Sequence, residues 1–132
     1  MEDPLDNLAV DAVEQALNVG IFVIAAAGND GGLNDDGRVS VPANVPGVIA
    51  VGALNSDGTL WEKSSRGDNL AGYGDNPRIS PNEKPEITAP GVNIFSTWVD
   101  GAYTSSTGTS DSTVFVTGAL ALLLEANPTL KP

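Results

Sequence analysis

The stretch "DNLAVDAVEQALNVGIFVIAAAG", residues 6–28, decides the fold class. Its first part repeats apolar residues at the three- and four-residue spacing of one helix face, and Gly20 is placed to end that helix. The apolar stripe consists of Leu8, Ala12, Val13, Ala16 and Leu17. Residues 21–28 follow as a continuous apolar run, which is typical of a parallel strand covered on both faces. A helix that leads into a buried strand predicts an α/β fold.

Shorter patterns continue this plan along the chain. "VIAVGAL", residues 48–54, predicts a second buried strand, and "NSDGTL" after it predicts a turn with Gly58 at a positive φ. "EITAPGVNIFSTWV", residues 86–99, predicts two short strands split at Pro90-Gly91, followed by a hairpin turn at Asp100-Gly101. The polar segment 62–85 between them predicts a surface loop.

The last predicted element is a helix from about Ser110 to Ala126 that is apolar on nearly every face. A helix of this kind needs packing partners on all sides. The chain offers too few, so we expect Phe115, Leu120 and Leu124 to be partly exposed. Such a patch predicts self-association, a companion fragment, or a strained and marginal fold.

Composition excludes several functional classes. The 132 residues suit one domain, and 17 acidic against 6 basic residues give a net charge of −11. This charge disfavours nucleic acids and anionic membranes as partners. The chain contains no Cys and no His, and no signal peptide or bilayer-length apolar run is visible.

Ser110 stands where the "Thr-Gly-Thr-Ser" turn becomes the last helix. Unpaired amide groups and the positive dipole end favour negative charge there, which suits a serine nucleophile whose acyl transfer creates an oxyanion. The alternative is that Ser110 only caps the helix, with Asp111 complementing the dipole.

Asn29 ends a run of small residues, "AAAGND" at 25–30. Its carboxamide is therefore expected at the carboxyl edge of a parallel sheet, where ligand crevices of open α/β sheets lie. The alternative is a plain Asn turn after a core strand.

Four blocks in order make the chain similar to the subtilisin-like serine proteases over nearly its whole length. These blocks are "AVDAVEQALNVGIFVIAAAGNDG", "VSVPANVPGVIAVGAL", "KPEITAPGVNIFST" and "GTSDSTVFVTGALALLLEANP". The resemblance implies a three-layer α/β fold, with a mostly parallel sheet and helices on both faces, incomplete here. Residues 1–132 would form the C-terminal portion of the peptidase domain.

The resemblance also implies roles for individual residues. Ser110 matches the nucleophile and Asn29 the side-chain donor of the oxyanion hole. Two segments match walls of the pocket for the residue that precedes the cleaved bond, and Pro42 is expected after a cis bond beside that pocket. The wall residues are Ala25, Ala26, Ala27, Gly28, Ser40, Val41, Pro42 and Ala43.

Two departures from the family pattern bear on activity. Without any His the chain cannot build a Ser-His-Asp triad, so the isolated chain is expected to be inactive. Asp111 stands where the family usually has an apolar or small residue, and its carboxylate would oppose a nearby oxyanion unless it is paired or points to solvent.

These patterns predict a fragment of a serine endopeptidase that hydrolyses peptide bonds through an acyl-enzyme when complete. The alternative is a non-catalytic, subtilase-like domain used for binding or assembly. An unrelated Rossmann-like domain is disfavoured because the Gly-x-Gly-x-x-Gly turn is missing.

The resemblance implies three further expectations about the environment of the chain. It implies a peptide or protein substrate, the missing N-terminal half as partner, and an extracellular location. No cofactor is needed for the chemistry, although structural calcium is common in the family. In this chain Asp30, Asp35 and Asp36 are candidate calcium ligands.

Overall fold

The computed structural model describes residues 4–31, 39–67 and 84–132. The predicted fold class is confirmed: in the described residues, α-helices pack on a sheet of parallel strands. In order, the elements are α1 (Pro4–Asn18), β1 (Ile24–Ala26), β2 (Ile49–Leu54), β3 (Ile87–Pro90), β4 (Ile94–Thr97), a 3₁₀ turn (Val99–Gly101), β5 (Tyr103–Ser106) and α2 (Thr109–Ala126).

The central sheet has three parallel strands in the order β1-β2-β3. Ala25 aligns with Ala50 and Val51 aligns with Ile87, so paired residues point to the same face. β1 is shorter than the predicted run 21–28 because the regular ladder with β2 covers only residues 24–26. Single hydrogen bonds from Ile49 N to Val23 O and from Ala27 N to Val51 O extend the pairing beyond it.

The two helices cover opposite faces of this sheet. On one face, Val10, Val13 and Leu17 of α1 pack with the alanines of β1 and β2 in a cluster that includes the segment 39–48. On the other face, α2 packs across all three strands. The small side chains of the strands allow this close approach of the helices.

The contact of α2 with the sheet depends on two buried positions. Ser112 Oγ donates to the carbonyl of Ala89 in β3 at 2.9 Å. Gly91 follows β3 directly, and a Cβ atom there would lie 2.7 Å from the Cβ of Ala53. A residue larger than glycine at position 91 would therefore push α2 away from β2 and β3.

β4 and β5 form a separate antiparallel hairpin, as predicted, with Asp100 and Gly101 at positive φ in its turn. The rings of Phe95 and Tyr103 stack across the two strands with centroids 5.4 Å apart. β5 leads directly into the turn that precedes α2.

The prediction of a surface loop over 62–85 is wrong at three described positions. Ser64, Ser65 and Lys84 are all buried. The serine hydroxyls accept hydrogen bonds from backbone N–H groups near the sheet, and Lys84 Nζ donates to Val48 O and pairs with Glu86. These partners satisfy the polar groups and make their burial tolerable. Residues 68–83 of this prediction lie outside the described ranges.

The expectation that α2 lacks sufficient packing partners is confirmed. Its only fully buried residues are Thr109 and Ser112 in the first turn. Phe115 is 49% exposed, and Leu120 and Leu124 are partly exposed.

In the described part of the chain, neither helix combines the length and the hydropathy that a membrane span requires.

Candidate active site

The carboxyl end of β1 meets the amino end of α2. Gly28 N donates to Thr109 Oγ1 at 3.1 Å, which links two segments 81 positions apart. Gly28 has a φ of +115°, and this conformation turns the chain from β1 toward α2. The sequence therefore brings the "AAAGND" and "TGTS" segments together through backbone and hydroxyl groups.

The Asn29 carboxamide is oriented by Thr109. Asn29 Oδ1 accepts hydrogen bonds from Thr109 N at 2.9 Å and from Thr109 Oγ1 at 3.0 Å. Because both of these partners are donors, the carboxamide oxygen is the atom that bonds to the start of α2. The alternative of a plain Asn turn is wrong, since the side chain bonds across the fold and not within its own turn.

Asn29 Nδ2 and Ser110 N both lie close to Gly108. A Cβ atom at Gly108 would be 3.4 Å from Nδ2 and 3.7 Å from Ser110 N. Two N–H donors thus flank the one residue of the turn that carries no side chain. This arrangement has the donor set that stabilises a developing oxyanion.

Ser110 lies in the first turn of α2 with its side chain exposed. The residue at the N-cap is Gly108, and the first amide of the helix, Thr109 N, donates to Asn29 Oδ1 and not to Ser110. The alternative that Ser110 serves as the helix cap is therefore wrong. The Ser110 hydroxyl is thus exposed in the first turn of a helix, whose dipole favours negative charge nearby.

Asp111 is paired in this structure. Its Oδ1 atom accepts a hydrogen bond from the Ser106 hydroxyl at the end of β5. Asp111 also lies in the first turn of α2, where a negative charge is favoured by the helix dipole. These two interactions give the carboxylate a local structural role.

The two predicted wall segments of the substrate pocket lie against each other. Three of their members are buried side chains of one cluster, namely Ala25, Ala27 and Ala43. Ala26, Gly28 and Val41 are half-buried, while Ser40 and Pro42 are exposed. The bond between Val41 and Pro42 is cis, as the resemblance implied.

The candidate calcium ligands are only partly described. Asp35 and Asp36 lie outside the described residues, while Asp30 directly follows Asn29. Among the residues that the structure describes, no three His, Cys, Asp or Glu side chains gather into a metal-binding group. Calcium binding by this loop stays a prediction.

Sequence reasoning missed two residues that shape the site. Thr109 is fully buried and contacts both Gly28 and Asn29. Ser65 is also fully buried and bonds to the residues on either side of Asn29. Thr109 was visible in the "TGTS" cluster, but no local pattern marks Ser65, because its partners are distant in sequence.

Comparisons with known proteins agree with this geometry. The family model described as the subtilase family matches residues 2–132. Subtilisin DY of Bacillus licheniformis is 40% identical over 119 residues, which cover 90% of this chain and 38% of that protein. Serine protease AprX of Bacillus subtilis (strain 168) is 38% identical, with coverage of 99% of this chain and 31% of that protein.

A solved structure supports the same assignment. The prenylagaramide maturation protease PagA superposes with a TM-score of 0.69 and 30% sequence identity. The alignment covers 88% of this chain and 36% of PagA. The chain therefore spans about a third of the length of the relatives it matches. On the match to the family model and the identity to these relatives, the chain belongs to the subtilase family of serine peptidases.

Proposed function

We propose that this chain supplies the nucleophile and the oxyanion hole of a subtilisin-like serine endopeptidase. In the complete domain, Ser110 Oγ attacks the peptide carbonyl and forms an acyl-enzyme that water then hydrolyses. Asn29 Nδ2 and the Ser110 backbone N–H donate to the oxyanion. The residues of 25–28 and 40–43 line the pocket for the residue before the cleaved bond.

The observation that carries this proposal is the position of the Asn29 carboxamide. Its oxygen is engaged by Thr109, directly before Ser110 in the chain. The amide nitrogen and Ser110 N both lie close to Gly108, at 3.4 and 3.7 Å from the position of a Cβ atom there. Preorganised donors of this kind stabilise charge that develops in the transition state.

The chain by itself lacks a general base. It has no His, so no imidazole is available to take the proton from Ser110. We therefore expect the isolated chain to be inactive. Activity requires an Asp and a His from outside the chain, which in this family are carried upstream of the serine. Below, "extended domain" denotes the chain preceded by such segments.

A fluorophosphonate probe tests the assignment of the nucleophile. We expect rapid labelling of the extended domain at Ser110, no labelling of its Ser110→Ala variant, and no labelling of the isolated chain. Robust labelling of the isolated chain would contradict the missing-base argument. Labelling of the extended domain at another serine would contradict the assignment of Ser110.

The role of Asn29 is tested by Asn29→Ala in the extended domain. We expect kcat for peptide hydrolysis to fall about 10²–10³-fold with little change in KM, the range known for removal of one oxyanion-hole donor in subtilisin. The melting temperature of Asn29→Ala is measured alongside, because loss of folded structure would also lower kcat. Unchanged kcat in a folded variant would remove Asn29 from the mechanism.

A second candidate function is a non-catalytic binding domain of the same fold. The observation in its favour is Asp111, a carboxylate directly after Ser110. Its hydrogen bond to Ser106 favours the catalytic proposal, because the carboxylate is engaged beside β5. Casein cleavage by the extended domain decides between the two. Persistent inactivity in both the parent sequence and Asp111→Met would favour the binding domain.

The proposed partners follow from the same function. A peptide or protein is the substrate, and the upstream half of the domain or a second copy covers the exposed face of α2. With a net charge of −11 we propose neither nucleic acid nor membrane as a partner. The proposed location is extracellular, and the proposed role of calcium at Asp30, Asp35 and Asp36 is structural.

A further inference from the structure

The peptide of Asn29 is held from the side opposite to α2 by a buried serine. Ser65 N donates to Gly28 O at 2.9 Å, and Ser65 Oγ accepts from Asp30 N at 3.2 Å. The two bonds engage the residues directly before and after Asn29. Ser65 is fully buried, whereas its partner Asp30 is exposed, so the bond between them is partly buried.

The close approach of this serine depends on glycine at position 28. A Cβ atom on Gly28 would lie 2.7 Å from Ser65 Oγ, which is closer than non-bonded atoms tolerate. The positive φ of Gly28 also leaves its carbonyl free to accept from Ser65 N. Gly28 and Ser65 therefore fit each other as a pair.

From these contacts we propose that Ser65 is a positioning residue for the oxyanion-hole carboxamide. Ser65 holds the backbone of Asn29 on one side, while Thr109 holds its side-chain oxygen on the other. Without the Ser65 hydroxyl, Asp30 N loses its acceptor, and the backbone after Asn29 is no longer fixed to Ser65. We expect this loss to loosen the contact between Asn29 Oδ1 and Thr109. The consequence for catalysis rests on the proposed function, but the contact itself is testable on the chain without any activity.

The chain offers a matched control in the neighbouring residue. Ser64 is equally buried, and its hydroxyl also accepts from a backbone N–H, that of Ala53 at 3.1 Å. That bond fixes β2 and does not involve Asn29. Removal of either hydroxyl thus deletes the acceptor of one backbone N–H group. Only the Ser65 hydroxyl bonds to a residue next to Asn29.

Amide hydrogen exchange of the full 132-residue chain, followed by NMR, tests the proposal. The informative group is Thr109 N–H, because its acceptor is Asn29 Oδ1 and it lies on α2, away from Ser65 in sequence. The internal reference is Asp111 N–H, which donates to Gly108 O in the same turn. Asp30 N–H reports directly on the loss of the Ser65 hydroxyl.

In Ser65→Ala we expect Asp30 N–H and Thr109 N–H to exchange roughly tenfold faster, the effect of losing one hydrogen bond, with Asp111 N–H unchanged. Ser65→Cys keeps the size of the side chain but provides only a weak acceptor, so the same pattern is expected if the alanine variant fails to fold. Ser65→Thr keeps the hydroxyl and should restore the slow exchange. Ser64→Ala should accelerate Ala53 N–H and leave Thr109 N–H unchanged.

Two results would overturn the proposal. Unchanged exchange of Thr109 N–H in both Ser65→Ala and Ser65→Cys would show that Asn29 keeps its position without the hydroxyl. Equal acceleration of Thr109 and Asp111 would show that Ser65 only stabilises the fold. Neither result depends on proteolysis. The exchange data can therefore support the positioning role of Ser65 even if the chain has no peptidase function, and they can contradict that role even if the peptidase function is confirmed.

Discussion

At the scale of single residues, Thr109 connects the two halves of the candidate site. Its hydroxyl accepts from Gly28 N and donates to Asn29 Oδ1, and its side chain is fully buried. Thr109→Val keeps the shape of the side chain and leaves the Gly28 N–H without its acceptor. We expect the free energy of unfolding to fall by about 1–3 kcal/mol, the cost of an unsatisfied buried donor.

Thr113→Val provides the control for this measurement. The Thr113 hydroxyl bonds back to the Thr109 carbonyl within α2, a group that the helix ladder already engages. Its loss should change the free energy of unfolding by no more than about 0.5 kcal/mol. Equal effects of the two valine substitutions in urea denaturation would contradict the linking role of Thr109.

Asp57 gives a prediction about pH at the same scale. The Thr59 hydroxyl, and then the Thr59 backbone N–H, donate to its carboxylate and hold the pKa of Asp57 below its ordinary value of 3.8. Because the folded pKa is lowered, the stabilising contribution is present above pH 3.8 and is lost as the pH falls through the folded pKa.

An NMR titration of the Asp57 carboxyl carbon measures this shift. We expect a midpoint below 3.8 in the parent chain and a higher midpoint in Thr59→Ala, which keeps the backbone donor but removes the hydroxyl. The difference in melting temperature between the two proteins should shrink as the pH falls below 3.8. Thr117→Ala, at an exposed site on α2, should leave the midpoint unchanged, and a midpoint insensitive to Thr59→Ala would contradict the assigned cause.

At the scale of elements, apolar patterning predicted most of the fold. The α1 helix and the strands β1 and β2 lie where apolar patterning placed them, although β1 is shorter than predicted. The predicted stripe of α1 is wrong in part, because Leu8 and Ala12 are exposed and Val10 is the buried residue of that helix. The burial of Ser64 and Ser65 could not be predicted, because a polar residue is buried only when distant backbone groups satisfy it. The placement of Ser110 near Asn29 came from the family resemblance, since no local rule joins segments 81 positions apart.

The packing of α2 on the sheet gives a prediction at this scale. In Gly91→Ala the new methyl group would lie 2.7 Å from both Ala53 Cβ and Gly108 O. We expect overpacking to lower the free energy of unfolding by about 1–3 kcal/mol. Because Gly108 forms the turn before Ser110, the same substitution should also shift the amide resonances of that turn.

Gly118→Ala is the matched comparison within α2. A Cβ atom there would have no neighbour within 4 Å, and alanine is the better helix former. We expect this variant to gain about 0.5–1 kcal/mol in the free energy of unfolding. Stability changes of the same sign in Gly91→Ala and Gly118→Ala would show that close packing at β3 does not limit the residue at position 91.

At the scale of the whole molecule, one face of α2 is left in contact with water. Four large apolar residues on it are between 49% and 70% exposed, namely Val114, Phe115, Leu122 and Leu123. Isolated apolar residues on a surface are ordinary, but a continuous apolar helix face is typical of an interface.

We therefore expect the isolated chain to self-associate and to bind an apolar dye such as ANS. Sedimentation velocity should show species larger than 13.5 kDa whose proportion rises with concentration. The double variant Leu122→Glu/Leu123→Glu places two charges on the α2 face and should shift the chain toward monomer and lower the dye signal. Leu8→Glu, at an exposed leucine of α1, adds charge outside this face and should change neither measurement. A parent chain that sediments as a monomer and does not raise the fluorescence of the dye would show that the α2 face is stable in water. The prediction of a partner that covers this face would then be wrong.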